Sequence, residues 1–185
     1  MFNYMLDRYP DDYHGYLIRT DYRIGVQMVM AMSDPDLSSD EKLATALYLL
    51  FGTGAPPLEI ALNGLTWFLN CTREPQKGKG DKPLSDYDYD SNLIYSAFKK
   101  QYNIDLSREK MHWFEFNALM SDLGECAFTS VVKIRSTKIT SDMNTKEKAY
   151  YSEAKERCAL PEKLSKQEQE ARDKFFSLLE GDNSG

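Results

Sequence analysis

The sequence predicts a mainly α protein: a compact multi-helix bundle of about seven or eight helices, with a short N-terminal β-hairpin and a protruding, charged C-terminal helical arm. Three observations carry this. Apolar residues recur at three- and four-residue spacing from Asp21 onward. Capping residues ahead of these runs, and Gly or Pro behind them, cut the pattern into helix-sized pieces. Hydrophobic residues make up 42% of 185, including 12 Tyr, 9 Phe and 2 Trp, which supplies a core and excludes global disorder. The chain reads as a helical core over 1–143 and an arm over 144–185 that belongs to the same domain.

Residues 1–20 are aromatic and irregular. The turn-rich stretch from Tyr9 to Gly15 lies between the short apolar segments Met5-Leu6 and Tyr16-Leu17-Ile18, which are expected to pair as a hairpin. The first helix starts after Asp21, with Tyr22, Val26 and Val29 on one face and Met28 and Met32 beside it. Pro35 stops it. Ser38 and Glu41 form a capping box for the second helix, which carries Leu43, Ala46, Leu47 and Leu50 and ends at Gly52 and Gly54. Pro56 and Pro57 suit the first turn of the third. Its broad stripe of Leu58, Ala61, Leu62, Leu65, Phe68 and Leu69 marks it as the most buried helix.

Residues 72–85, with two prolines, two glycines and four Lys or Arg, form an exposed loop. The fourth helix presents Leu93, Ile94, Ala97, Phe98 and Tyr102. Ser107 is expected to cap a fifth carrying Trp113, Phe116, Leu119, Met120 and Leu123, ended by Gly124, and a shorter helix covers 128–139. Asn144 with Glu147, and Ser165 with Glu168, are capping boxes for the last two, which end before Leu160-Pro161 and at Gly181. These two are thinly apolar and charged, with pairs such as Glu153–Arg157 and Glu168–Arg172 at i, i+4. A helix with so narrow a stripe (Tyr151, Ala154 and Cys158, then Ala171, Phe175, Phe176, Leu178 and Leu179) holds its shape by packing on its own core or on another subunit.

A net charge of −6 gives no basic field for nucleic acid. Cys71, Cys126 and Cys158 are odd in number and widely spaced, as expected of reduced cysteines in an intracellular protein. The N-terminus lacks the charged start and apolar run of a signal peptide, and no stretch has the apolar length of a membrane span.

No catalytic, cofactor or metal residue is expected. Glu109 and His112 form an ExxH pair, but His14, the other histidine, has no matching pair. The run from Asp86 to Asn92 resembles a calcium loop but has Ser91 and Ala97 where Gly and Glu belong, so it reads as an acidic helix start. No nucleotide-binding or hydrolase motif occurs. Lys133, Arg135 and Lys138 lie in an acid-free run from Phe128 to Ser141. That run is either a helix with its apolar side inward and its lysines in water, or a basic, partly apolar face for an acidic partner or nucleic acid. The candidate partner-binding residues are these three with Tyr151, Phe175, Phe176 and Leu179 of the arm, beside the 72–85 loop.

One set of blocks has a familiar order: Thr20 to Arg23, Asp34 to Lys42, Trp67 to Cys71, Asp90 with Ile94, Tyr95, Ala97 and Phe98, Gln101 to Leu106, His112-Trp113 with Phe116, Ala118 and Leu119, Ile134-Arg135, and Leu160-Pro161. Together they span about residues 20–161, and in order and spacing the chain resembles the bacteriophage gene-product-fifteen family, small proteins of phages of Gram-positive bacteria. Where the family pattern often has glycine before Ile-Asp-Leu, this chain has Asn103, which also tolerates a left-handed turn.

The resemblance implies a gene in the tail morphogenesis module, near the tape-measure protein. Proteins from that position are often assembly chaperones that bind the tape measure, recruit tail-tube subunits and are absent from the finished virion. The expected function is therefore tail assembly in the cytoplasm of the infected host, without catalysis. The expected partner is the tape-measure or tail-tube protein, with self-association as a further option. A spare amphipathic stripe suits helix-in-groove packing. The alternatives are a structural virion component, such as a tail-completion or connector protein, and a nucleic-acid binder using the Lys133–Lys138 cluster.

Overall fold

The computed structural model describes residues 2–73 and 83–181, with side chains as far as Lys174. Among them are a two-stranded hairpin and eight helices: β1 (Asp12–Tyr13), β2 (Tyr16–Leu17), α1 (Tyr22–Met32), α2 (Ser39–Phe51), α3 (Leu58–Leu69), α4 (Ser91–Tyr102), α5 (Trp113–Ser121), α6 (Ala127–Ser136), α7 (Thr145–Arg157) and α8 (Lys166–Gly181). The chain is mainly α. Helix α1 packs on α2 and α5, α2 on α3, α4 on α6, and α6 on α7.

The hairpin is present but its first strand is not Met5-Leu6. Asp12 pairs with Leu17 and Tyr13 with Tyr16, around His14 and Gly15, both at positive φ. A two-residue turn of this kind draws its strands from the residues directly beside it. Met5 and Leu6 instead sit in a turn closed on Asn3, whose carbonyl accepts the Leu6 and Asp7 N–H groups, and they are 92% and 81% exposed.

The inward face of α1 is Tyr22, Gly25 and Met28, with Val26 and Val29 only half-buried. The expected face is thus rotated, and Gly25 is the reason. A Cβ there would stand 2.1 Å from Cε3 of Trp113, so the absence of a side chain lets the indole lie against the helix backbone. Gly64 does the same on α3, where Tyr13 and Phe51 close in. Helix α3 buries Ala61, Gly64, Leu65 and Phe68, more than any other helix among the described residues. Its Leu58 and Leu62 are exposed, so the stripe is narrower than expected. Thr72 N–H to Trp67 O (2.9 Å) and Cys71 N–H to Phe68 O (3.1 Å) close it as a Schellman motif, with Cys71 at φ 51°.

All three capping boxes form. Glu41 N–H donates to Ser38 Oγ, Glu147 N–H to Asn144 Oδ1 and Glu168 N–H to Ser165 Oγ, and each carboxylate returns to the cap N–H. Asn103 ends α4 in the left-handed conformation at φ 57°.

Ser107 does not cap α5. Its N–H and Oγ both donate to Asp105 in a separate turn, and α5 begins at Trp113 with His112 as its cap. The chain just before the helix bonds sideways to the start of α1: Tyr22 N–H donates to Met111 O and Trp113 N–H to Thr20 O.

The core is aromatic at its centre. Phe116 stacks against Tyr22, Phe98 and Trp113, and Phe68 stacks on Trp113. The N-terminal segment lies over it, with Tyr9 stacked on His112 at 4.8 Å and Phe2 edge-on to Phe114.

Candidate interaction surface

Asp86 folds the residues before α4 into a turn. Its Oδ1 accepts the Asp88 and Tyr89 N–H groups at 2.8 and 2.9 Å. The Asp86 N–H returns to Asp90 Oδ2 at 3.0 Å. Asp90 is only 1% exposed, and a buried carboxylate needs a partner. That partner is Arg135, 45 residues on, which grips it with Nη1 at 2.6 Å and Nη2 at 2.9 Å.

The same guanidinium holds two further segments. Nη1 donates to Leu84 O at 3.0 Å and Nε to Cys158 O at 2.6 Å. Lys155 of α7 donates to Arg135 O at 2.8 Å, and Ala154 beside it is buried. Lys163 then pairs with Asp86 at 2.6 Å, and the Lys166 N–H at the start of α8 donates to Asp36 at 2.7 Å. Burial opposes ionisation of Asp86, but bonds from Lys163 and from the Tyr89 and Asp88 N–H groups outweigh it and hold its carboxyl below the usual range. The C-terminal part of the chain is therefore fastened along one edge of the core. The described side chains of α8, Lys166 to Lys174, are all exposed.

Three adjoining clefts run along this junction. The first, about 620 Å³, lies between Val29 and Met30 of α1, its C-cap Ser33, the 85–89 turn and Lys163. The second, about 610 Å³, shares Pro83, Leu160 and Pro161 with the first. It shares Leu84, Arg135 and Lys155 with the third, about 640 Å³, which reaches Lys138 and Ile139 past the end of α6. Because they share walls, the three clefts follow one another along this edge and are together termed the trough. Met30, Leu84, Tyr89 and Ile139 along it are each more than a third exposed, at a cost a partner's apolar surface would remove.

The sequence candidates scatter over this landscape. Lys133 is exposed on α6 and Lys138 lines the far end of the trough. Arg135 is a correction: its side chain is 7% exposed and fully engaged with Asp90, so it is no part of an open basic face. Residues 127–141 lack acids because the acid that Arg135 needs is supplied from α4's cap. Tyr151 is half-buried on α7, edge-on to Tyr150. Phe175, Phe176 and Leu179 fall on α8, but their side chains lie outside the described residues, as does the 74–82 part of the loop. Sequence reasoning missed Met30, Leu84, Tyr89 and Lys163. The one usable signal was Leu160-Pro161, an apolar pair in a charged stretch.

Other chemistry is occupied. His112 accepts the Phe114 N–H at Nδ1 and bonds Pro10 O through Nε2, so both ring nitrogens are used in the fold. Burial pushes the Cys71 thiol up to about 11, so it stays protonated at neutral pH. Among the described residues no group of His, Cys, Asp and Glu converges as a metal site, and no helix is long and apolar enough to cross a membrane.

No curated relative and no solved structure matches the chain. The family model described as Bacteriophage Gp15 protein does match, over residues 5–160, from the N-terminal segment through all of α7 to the Leu160 wall of the trough, and the chain belongs to that family.

Proposed function

We propose that this phage protein is a tail-assembly chaperone, which shields an apolar helical face of the tape-measure or tail-tube protein in the host cytoplasm until the tail is built. The supporting observation is the trough: a row of adjoining clefts with exposed Met30, Leu84, Tyr89 and Ile139 along it and charged side chains among its walls. A groove of that kind receives the apolar stripe of an amphipathic helix. The net charge of −6 keeps a complex soluble once the stripe is covered. The reading assigns the protein no catalytic step.

The test is co-expression with the tape-measure protein. Wild-type chain is expected to keep it soluble, and Leu84→Arg, which puts a charge among the trough's exposed apolar residues, is expected to lose that effect. Equal precipitation with and without the wild-type chain would reject the reading. Mass spectrometry of purified particles adds a second arm: many copies per particle would favour a structural virion component instead.

A further inference from the structure

We infer that the trough takes an amphipathic partner helix in one preferred direction, with the helix's basic flank over Asp88 and its acidic flank over Lys138. The inference rests on the chaperone reading for the trough's use, but its own basis is the distribution of charge left unpaired along the walls.

At the α6 end the charged lining residues are Arg135, Lys138 and Lys155, with no carboxylate among them. Asp90 neutralises Arg135. Among the described residues neither Lys155, which is half-buried and bonds a backbone carbonyl, nor Lys138, which is exposed, makes an ion pair. That end is therefore cationic. At the α1 end, Asp86 and Lys163 cancel each other at 2.6 Å, which leaves Asp88. That end is anionic. Glu162 lines the middle cleft together with Lys155, so that cleft carries both signs.

The exposed apolar side chains supply affinity but are indifferent to which way a helix lies. Unpaired charges of opposite sign at the two ends are not, because a helix laid the wrong way sets like charges against each other at both. Partly covered by a docked helix, these charges would also be less screened than on an open surface.

The experiment uses the full chain and a synthetic amphipathic helix carrying Glu at one end and Lys at the other, with a photo-crosslinker beside the Glu. Crosslinks are expected at residues 136–139 and not at 85–89. In the charge-swapped double variant Lys138→Glu with Asp88→Lys, they are expected to move to 85–89. Both swapped side chains are exposed, and circular dichroism checks that the fold is kept. Lys138→Glu alone is expected to weaken binding about fivefold at low salt, less at high salt. Crosslinks spread equally over both ends, crosslinks unmoved by the swap, or no binding of the peptide would each overturn the inference. A dimer in solution that Leu84→Arg dissociates would assign the trough to a second copy and overturn it too. A tape-measure protein that stays insoluble while the synthetic helix crosslinks directionally would sink the chaperone reading and leave this one standing.

Discussion

Around Trp113 the molecule is a stack of rings; around Arg135 it is a knot of charge-assisted hydrogen bonds. The first region joins α1, α3, α4 and α5 through the rings of Tyr22, Phe68, Phe98, Trp113 and Phe116, with side-chain hydrogen bonds from Tyr22 to Leu106 O and from Trp113 to Leu69 O at its margin. The second joins the 84–90 turn, α6 and α7 through one guanidinium with four bonds. Packing of rings spreads its energy over many weak contacts, so it tolerates the loss of any one. A buried ion pair concentrates its energy, and removing one member strands the other.

The largest expected effect breaks the second region. Arg135→Ala leaves the Asp90 carboxylate buried and alone, and frees the Leu84 and Cys158 carbonyls. A loss of about 3–5 kcal/mol is expected in chemical denaturation. The double variant Arg135→Met with Asp90→Leu should recover part of that loss, because it removes the stranded charge. A cost under about 1 kcal/mol for Arg135→Ala would mean that the region is held by something else, and the contrast would fail.

The next breaks the first region where it is tightest. Gly25→Ala drives a methyl into the Trp113 ring, 2.1 Å from Cε3. Overpacking of this sort costs about 1–3 kcal/mol. Combining it with Trp113→Leu should cost less than the two single losses added, a double-mutant coupling that strict additivity would contradict.

These two sites also show what was legible beforehand. Capping boxes were, because Ser38 and Glu41, Asn144 and Glu147, and Ser165 and Glu168 each sit three residues apart and decide the matter locally. The left-handed Asn103 was legible for the same reason. Gly25 was not, since a count of apolar residues passes over glycine, and its meaning depends on a tryptophan 88 positions away. Ser107 misled because its N–H and hydroxyl are turned to the Asp105 carboxylate in a local turn, where a capping serine would accept a helix N–H. Arg135 looked like surface because no acid stood near it in sequence, and that same lack of a local acid is what a distant buried partner produces. The trough has walls from residues 29–33, 83–89, 135–139 and 155–163, so no window of sequence contains it.

A third effect, smaller, belongs to the seam where the N-terminal segment meets the ring stack. His112 is neutral in the fold: Nδ1 must be unprotonated to accept the Phe114 N–H. Burial lowers its pKa from 6.5, against the bond to Pro10, which raises it. The unfolded chain therefore takes up this proton first. The His112 contribution to stability is complete above about pH 6.5 and is lost as pH falls below that value. His112→Asn keeps an oxygen acceptor at the cap, so it should flatten the wild-type slope of stability between about pH 7 and pH 5. Parallel pH profiles for the two proteins would show that His112 does not titrate in this range.

The smallest effect sharpens the comparison by dividing the charged region itself. Lys163 is 39% exposed and its partner Asp86 15%, so their pair is close to a surface pair and is worth at most about 1 kcal/mol. Asp86 also keeps its bonds from the Asp88 and Tyr89 N–H groups when Lys163 is gone, so the turn itself should hold. Lys163→Ala should therefore leave global stability almost unchanged. Its consequence is local, because Lys163 and the Lys166 N–H are the described polar ties between the segment leading into α8 and the core. Faster amide exchange is expected at residues 160–170 in the variant, and in wild type at high salt, with rates in α6 and around Trp113 unmoved. If exchange instead rises in all three places together, the ring stack and the charged region open as one unit, and the two modes of holding the chain are not separable in stability even though they are separate in structure.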